Sequence, residues 1–136
     1  MIDKEIIRIA SNTENHGALD NHTHFSKLKN AICGDDIKIY LIVENNKITN
    51  FKYECESCIY CQGSVSLLSR KAKNKLIEKV KNFAQQANNY FDKSVNSFGK
   101  EWKEFDKTMT KNNISRKECL LLPINTMLDA LSKKSL

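Results

Sequence analysis

From Ile37 onward apolar and polar positions alternate: Ile37, Ile39, Leu41 and Val43 fall on one face and Lys38, Tyr40, Ile42 and Glu44 on the other, as in a strand lying on a core. Asn45-Asn46 then supplies a two-residue turn tolerant of positive φ. The return run, residues 47–53, alternates again, so an antiparallel hairpin is expected to end where the cysteines Cys55, Cys58 and Cys61 begin. Residues 25–29 are a candidate third strand. After Cys58 the period changes. Val65, Leu68, Ala72, Leu76, Val80 and Phe83 recur at three- and four-residue steps without a proline, which predicts one helix, opened by the small residues Gly63, Ser64 and Ser66.

The ends of the chain read as helices too. Residues 3–10 gather Ile6, Ile7 and Ile9 into a short helix closed by the polar cluster 11–15, and a loop with Gly17 follows. Residues 88–113 are polar and mixed, with Trp102 and Phe105 as anchors. The last segment carries Leu121, Ile124, Leu128 and Leu131 on one helical face, and Pro123 is tolerable there only near the first turn, so Cys119 is expected at or just before that helix's start. The fold class expected is therefore α+β, a small antiparallel sheet of about three strands with helices packed on it.

At 136 residues and 40% hydrophobic composition, the chain is expected to form one domain, 1–136, that buries about two thirds of its unfolded surface. Its apolar runs fall far short of the roughly 20 residues a bilayer requires, and Met1-Ile2-Asp3-Lys4-Glu5 has no leader character, so a cytoplasmic protein without membrane contact is expected. The net charge of +6 concentrates in the run Arg70-Lys71-Ala72-Lys73-Asn74-Lys75 with Lys79 and Lys81. No aromatic residue interleaves there as a base-stacking platform, and lysine far outnumbers arginine, so a solvated helix face or a docking surface for an acidic protein is expected rather than a nucleic-acid site.

The chemistry lies in the five cysteines. In a reducing compartment, thiols this numerous read as metal ligands or reactive groups rather than as disulfides. Cys58 at the start of one helix and Cys119 at the start of another sit where backbone N–H groups and the helix dipole favour a thiolate, and Cys33 precedes a strand. Three such thiols can converge at one edge of the sheet, with Asp35 the nearest carboxylate able to turn back as a fourth donor. Spacing leaves several readings open: a structural zinc site, although no second Cys-x2-Cys knuckle is present; a labile metal or sulfur site; or inert buried cysteines. A ferredoxin-type cluster is disfavoured because Gln62-Gly63-Ser64-Val65 stands where the fourth cysteine and proline belong. His22-x-His24, with His16, can bind metal but also reads as a group of ordinary surface histidines.

Taken together, several segments resemble the U-type iron-sulfur cluster assembly scaffolds (IscU, SufU and the N-terminal domain of NifU). They are Cys33-Gly34-Asp35 ahead of a strand, Cys58-Ile59-Tyr60-Cys61-Gln62-Gly63-Ser64-Val65-Ser66, Arg116-Lys117-Glu118-Cys119, and Asn15-His16-Gly17. The long interval between Cys58 and Cys119 is more similar to the SufU branch. The Leu-Pro-Pro-Val-Lys segment by which IscU engages a dedicated heat-shock chaperone is missing, so that partner is not implied.

The resemblance implies a carrier rather than an enzyme. Such a scaffold accepts sulfur from a cysteine desulfurase, assembles a transient [2Fe-2S] or [4Fe-4S] cluster on Cys33, Asp35, Cys58 and Cys119, and passes it to apo iron-sulfur proteins. Cys33 and Cys119 are the candidate persulfide acceptors. The alternative it implies is a zinc-bound sulfur acceptor that activates a desulfurase without building a cluster, with zinc on the same ligands. Departures from the family pattern are Cys55 and Ser57 in place of glycines, Glu118 before the third cysteine, and the extra thiol Cys61.

Overall fold

In the computed structural model, which describes residues 4–31, 34–92 and 98–133, the strands form a meander. Strands β1 (His24–Lys29), β2 (Asp36–Glu44) and β3 (Lys47–Glu56) lie antiparallel in the order β1-β2-β3. Ile37, Ile39 and Leu41 of β2 are fully buried, as their alternation predicts; Val43 is only half-buried, because the ladder slips between Ile42 and Val43. Asn45 and Asn46 adopt φ of 53° and 62°, the left-handed pair that a two-residue hairpin turn requires. Strand β3 runs on past Tyr53 to Glu56, so Cys55 is a strand residue paired with Ile37. The outer edge of β3 is covered where the Tyr53 N–H donates to the Asn15 carbonyl and the Tyr53 carbonyl accepts from the Gly17 N–H.

Helix α1 (Lys4–Ala10) buries Ile6 and Ile9 but leaves Ile7 exposed. It lies on α2 (Ile59–Ala72), whose middle turns, residues 63–69, are wholly buried. The serines that read as merely small are bonding groups. Ser64 donates to the Leu120 carbonyl at 2.6 Å, and Ser66 to the Ile9 and Asn12 carbonyls, tying α2 to both neighbouring helices. Gly63 faces α1, where an added Cβ would lie 3.6 Å from the Ile6 carbonyl oxygen and 3.7 Å from its Cδ1, an ordinary contact. Gly63→Ala is therefore expected to raise stability by up to about 1 kcal/mol through helix propensity, read as a higher urea midpoint. A lower midpoint would show that α1 cannot take the methyl.

The apolar run from Val65 to Phe83 is not one helix but two, α2 and α3 (Ile77–Asn89). Asn74 takes φ of 70° between them and Leu76 is exposed. Tertiary hydrogen bonds to the hairpin turn override the periodicity there: Ile48 N–H to Lys75 O, Asn74 N–H to Ile48 O and Ile77 N–H to Asn46 O, at 2.6–3.0 Å.

Beyond α3 come two 3₁₀ segments, Lys100–Lys107 and Lys111–Arg116, the first of which holds Trp102 and Phe105 in an aromatic cluster with Phe83 and Phe98; the Phe83 and Trp102 rings stack at 4.2 Å. The last helix, α4 (Lys117–Ser132), packs against α2 and across β1 and β2. Pro123 stands in its second turn rather than its first, where it cannot donate to the carbonyl of Cys119. The deepest stripe of α4 is Leu120, Ile124, Met127 and Ala130; Leu128 and Leu131, placed on the core face by periodicity, are only half-buried. No helix among the described residues is long and apolar enough to cross a membrane.

Candidate metal centre

Three chain segments meet at the end of the sheet where β2 begins and β3 finishes. The β1–β2 loop is closed by the Gly34 N–H to Asn30 carbonyl bond at 2.7 Å and the Asn30 N–H to Asp35 carbonyl bond at 2.8 Å. Gly34 adopts φ of 73°, a left-handed conformation that favours glycine and turns Asp35 inward to 2% exposure. Cys58 caps α2 with an extended backbone (φ −68°, ψ 166°) and is half-buried. Cys119 lies in the first turn of α4 and is 1% exposed.

The Asp35 carboxylate bridges two of these segments. Its Oδ1 accepts the Cys58 backbone N–H at 2.9 Å, and its Oδ2 lies 3.7 Å from the Cys58 Sγ. A carboxylate thus takes up an N–H at the start of α2, where Cys58 makes no side-chain cap of its own. One donor atom each from Asp35, Cys58 and Cys119 lies within 4.8 Å of the others. Two sulfurs on one tetrahedral metal, each at about 2.3 Å, stand about 3.8 Å apart, so the group needs only a small contraction to share an ion. Two soft donors and one hard one suit zinc or iron.

Of the four residues expected to share a site, the structure brings together Asp35, Cys58 and Cys119; Cys33 lies outside the described residues. Glu118 is exposed and is not in the group. Cys55 and Cys61 also stand outside it. Burial pushes both thiols up, Cys61 most strongly; the Ser57 hydroxyl beside them offsets this in part, and the Asp35 carboxylate adds to it. That hydroxyl is buried and forms no hydrogen bond of ordinary geometry among the described residues. The histidines are engaged locally. His22 Nδ1 lies 2.7 Å from the Leu19 carbonyl, His24, a β1 residue, bonds Thr23, and His16 meets the Tyr53 ring edge-on. Sequence reading missed a cationic contact at the site's rim: the Arg116 guanidinium, just before α4, lies 5.3 Å from the Tyr60 ring centroid in the first turn of α2.

The profile of the NifU-like N terminal domain family matches residues 1–108, and the chain belongs to that family. Over 135 residues it is 28% identical to the iron-sulfur cluster assembly scaffold protein IscU of Thermotoga maritima, covering 99% of this chain and 95% of that protein. Among solved structures, the N-terminal NifU-like protein of Brucella abortus superposes with a TM-score of 0.88 at 18% identity, covering 96% of this chain and 91% of that one. A protein of Fervidobacterium islandicum AW-1, proposed as the iron-sulfur cluster assembly scaffold of the SUF system, gives a TM-score of 0.85 at 23% identity over 96% of both chains. The α+β fold read from the sequence is the fold of these proteins.

Proposed function

We propose that this chain is an iron-sulfur cluster assembly scaffold of the cytoplasm. It accepts sulfur from a cysteine desulfurase, builds a [2Fe-2S] or [4Fe-4S] cluster on Cys33, Asp35, Cys58 and Cys119, and hands it to apo-proteins. The observation that carries this reading is the convergence of Asp35, Cys58 and Cys119 within 4.8 Å from three separate elements of the chain. Membership of a family that includes relatives named as assembly scaffolds supports it.

The donor set supports delivery of the cluster as well as its assembly. Thiolates hold iron strongly, while the carboxylate is a harder, weaker donor that opens first when an acceptor's thiol arrives. Asp35 also fixes the Cys58 N–H, so its two roles must be separated by experiment. Asp35→Ala is expected to slow cluster transfer to an apo-ferredoxin severalfold while lowering the stability of the metal-free protein by about 1–3 kcal/mol. Asp35→Asn, which keeps a carbonyl acceptor for the N–H, should slow transfer with a smaller loss of stability. Transfer as fast as wild type from both variants would refute the role given to the carboxylate. Anaerobic loading with iron and desulfurase-generated sulfide, followed by absorption and Mössbauer spectra, tests the scaffold itself. A bound cluster supports it; stably bound zinc with faster desulfurase turnover and no cluster would favour the sulfur-acceptor alternative.

A further inference from the structure

The proposed function leaves two thiols, Cys55 and Cys61, without a task. Cys58 and Cys61 form a Cys-x-x-Cys pair whose first member is the half-buried cap of α2 and whose second is a fully buried residue of its first turn. The Gln62 N–H to Cys58 carbonyl bond at 3.0 Å closes that turn, placing the pair three residues apart on one helix, where Cβ atoms lie roughly 5–6 Å from each other. A disulfide needs about 3.5–4.5 Å, so closure requires a shift of about 1–2 Å at the cap, working against the bonds that hold the Cys58 backbone to Asp35 and Gln62. Cys55 is worse placed. It precedes Cys58 by three residues of strand end and extended chain, a span of up to about 10 Å.

We propose that Cys61 is the resolving thiol for a persulfide carried on Cys58, so that the chain releases sulfide without a separate electron donor in that step. This rests on the sulfur-accepting part of the function proposed above. Sulfur reaches Cys58 by exchange from a donor persulfide, directly or through Cys119, whose Sγ lies within 4.8 Å of the Cys58 sulfur. Cys61 then attacks the inner sulfur of that persulfide. A Cys58–Cys61 disulfide forms, and the bond between the Cys58 sulfur and the outer sulfur breaks. The bonding pair leaves with the outer sulfur as hydrosulfide, which takes up the Cys61 proton. The outer sulfur is reduced to sulfide and the cysteine pair is oxidised, so atoms and electrons balance. A dithiol reductant restores the pair for the next round. Burial shields Cys61 from competing thiols in solution but disfavours its thiolate, so its proton must pass to the departing sulfur in the same step, one helical turn away.

The test loads the full chain with persulfide from two donors, a cysteine desulfurase with cysteine and, separately, inorganic polysulfide, then desalts it anaerobically without reductant. Wild type is expected to release about one sulfide per chain as a Cys58–Cys61 bridge appears in peptide mass maps. Cys61→Ser and Cys61→Ala should retain an alkylatable persulfide at Cys58 and release sulfide at least about tenfold more slowly. Release at the wild-type rate from these variants, a bridge from Cys58 to any other cysteine, or no persulfide on Cys58 from either donor would overturn the proposal. Cys61-dependent release after polysulfide loading alone would uphold the resolving role and overturn acceptance from the desulfurase. The wild-type bridge is read without any variant, so the outcome does not hang on how well a substituted core folds.

Discussion

Replacing Cys58 by serine is expected to leave the fold intact and to weaken metal binding at the candidate centre by about 100-fold or more. Cys58 occupies the cap of α2 with extended backbone angles and no capping bond from its side chain. Serine is among the preferred residues at that position, so the metal-free variant should be as stable as wild type or more stable by up to about 1 kcal/mol. The metal loses a thiolate. If the roughly 10–16 kcal/mol of a four-ligand zinc site is divided evenly, one ligand carries about 2.5–4 kcal/mol, which is roughly two to three orders of magnitude in affinity. Competition with a chromogenic chelator gives the affinity, and a thermal melt of the metal-free protein gives the stability. An unchanged affinity would remove Cys58 from the ligand set. A collapse in melting temperature would show that its role is structural.

The second large effect lies in the aromatic cluster that supports the approach to Cys119. Phe105 is fully buried and its ring packs against those of Phe83, Phe98 and Trp102, with its centroid 4.7 Å from that of Phe83. Phe105→Ala should cost about 3–5 kcal/mol, from lost apolar transfer and the cavity left behind. In a chain of this length that lowers the melting temperature by roughly 10–15 °C. The Met109 N–H also bonds the Phe105 carbonyl at 2.8 Å, a backbone contact the substitution keeps, so the 3₁₀ segment should persist around the void. Metal affinity, measured where the variant is folded, is expected to stay within a few-fold of wild type. A loss of less than 1 kcal/mol in urea unfolding would mean that the cluster does not anchor this part of the chain.

The hairpin was legible because a single burial face and a turn needing positive φ leave a period-two pattern and the Asn45-Asn46 pair in the sequence. The long apolar repeat misled because periodicity reports which side chains face a core, not whether the backbone between them is continuous. Val80 and Phe83 do face the core, but from a second helix, and of the residues at the break only Asn74 hinted at it. The buried face of α4 was displaced for a related reason. Covered by α2 on one side and the sheet on the other, the helix buries Leu120 and Met127 as fully as Ile124 and leaves Leu128 and Leu131 half-buried. At the candidate centre, the placement of Cys58 and Cys119 at helix starts followed from pattern alone. The bond from the Cys58 N–H to Asp35 did not, since it depends on how the Gly34 turn aims a side chain across 23 residues of sequence. The buried serines of α2 carried no signal beyond small size, because their partners are carbonyls of other helices.

The most direct test of the scaffold reading is anaerobic cluster transfer. The chain is loaded with iron and desulfurase-generated sulfide, freed of unbound metal, and mixed with an apo-ferredoxin. A cluster is expected to appear in the acceptor as it leaves this chain, and Cys58→Ser and Cys119→Ser are expected to deliver none. Equal delivery from those variants, or a wild-type chain that holds its metal and passes nothing on, would contradict that reading.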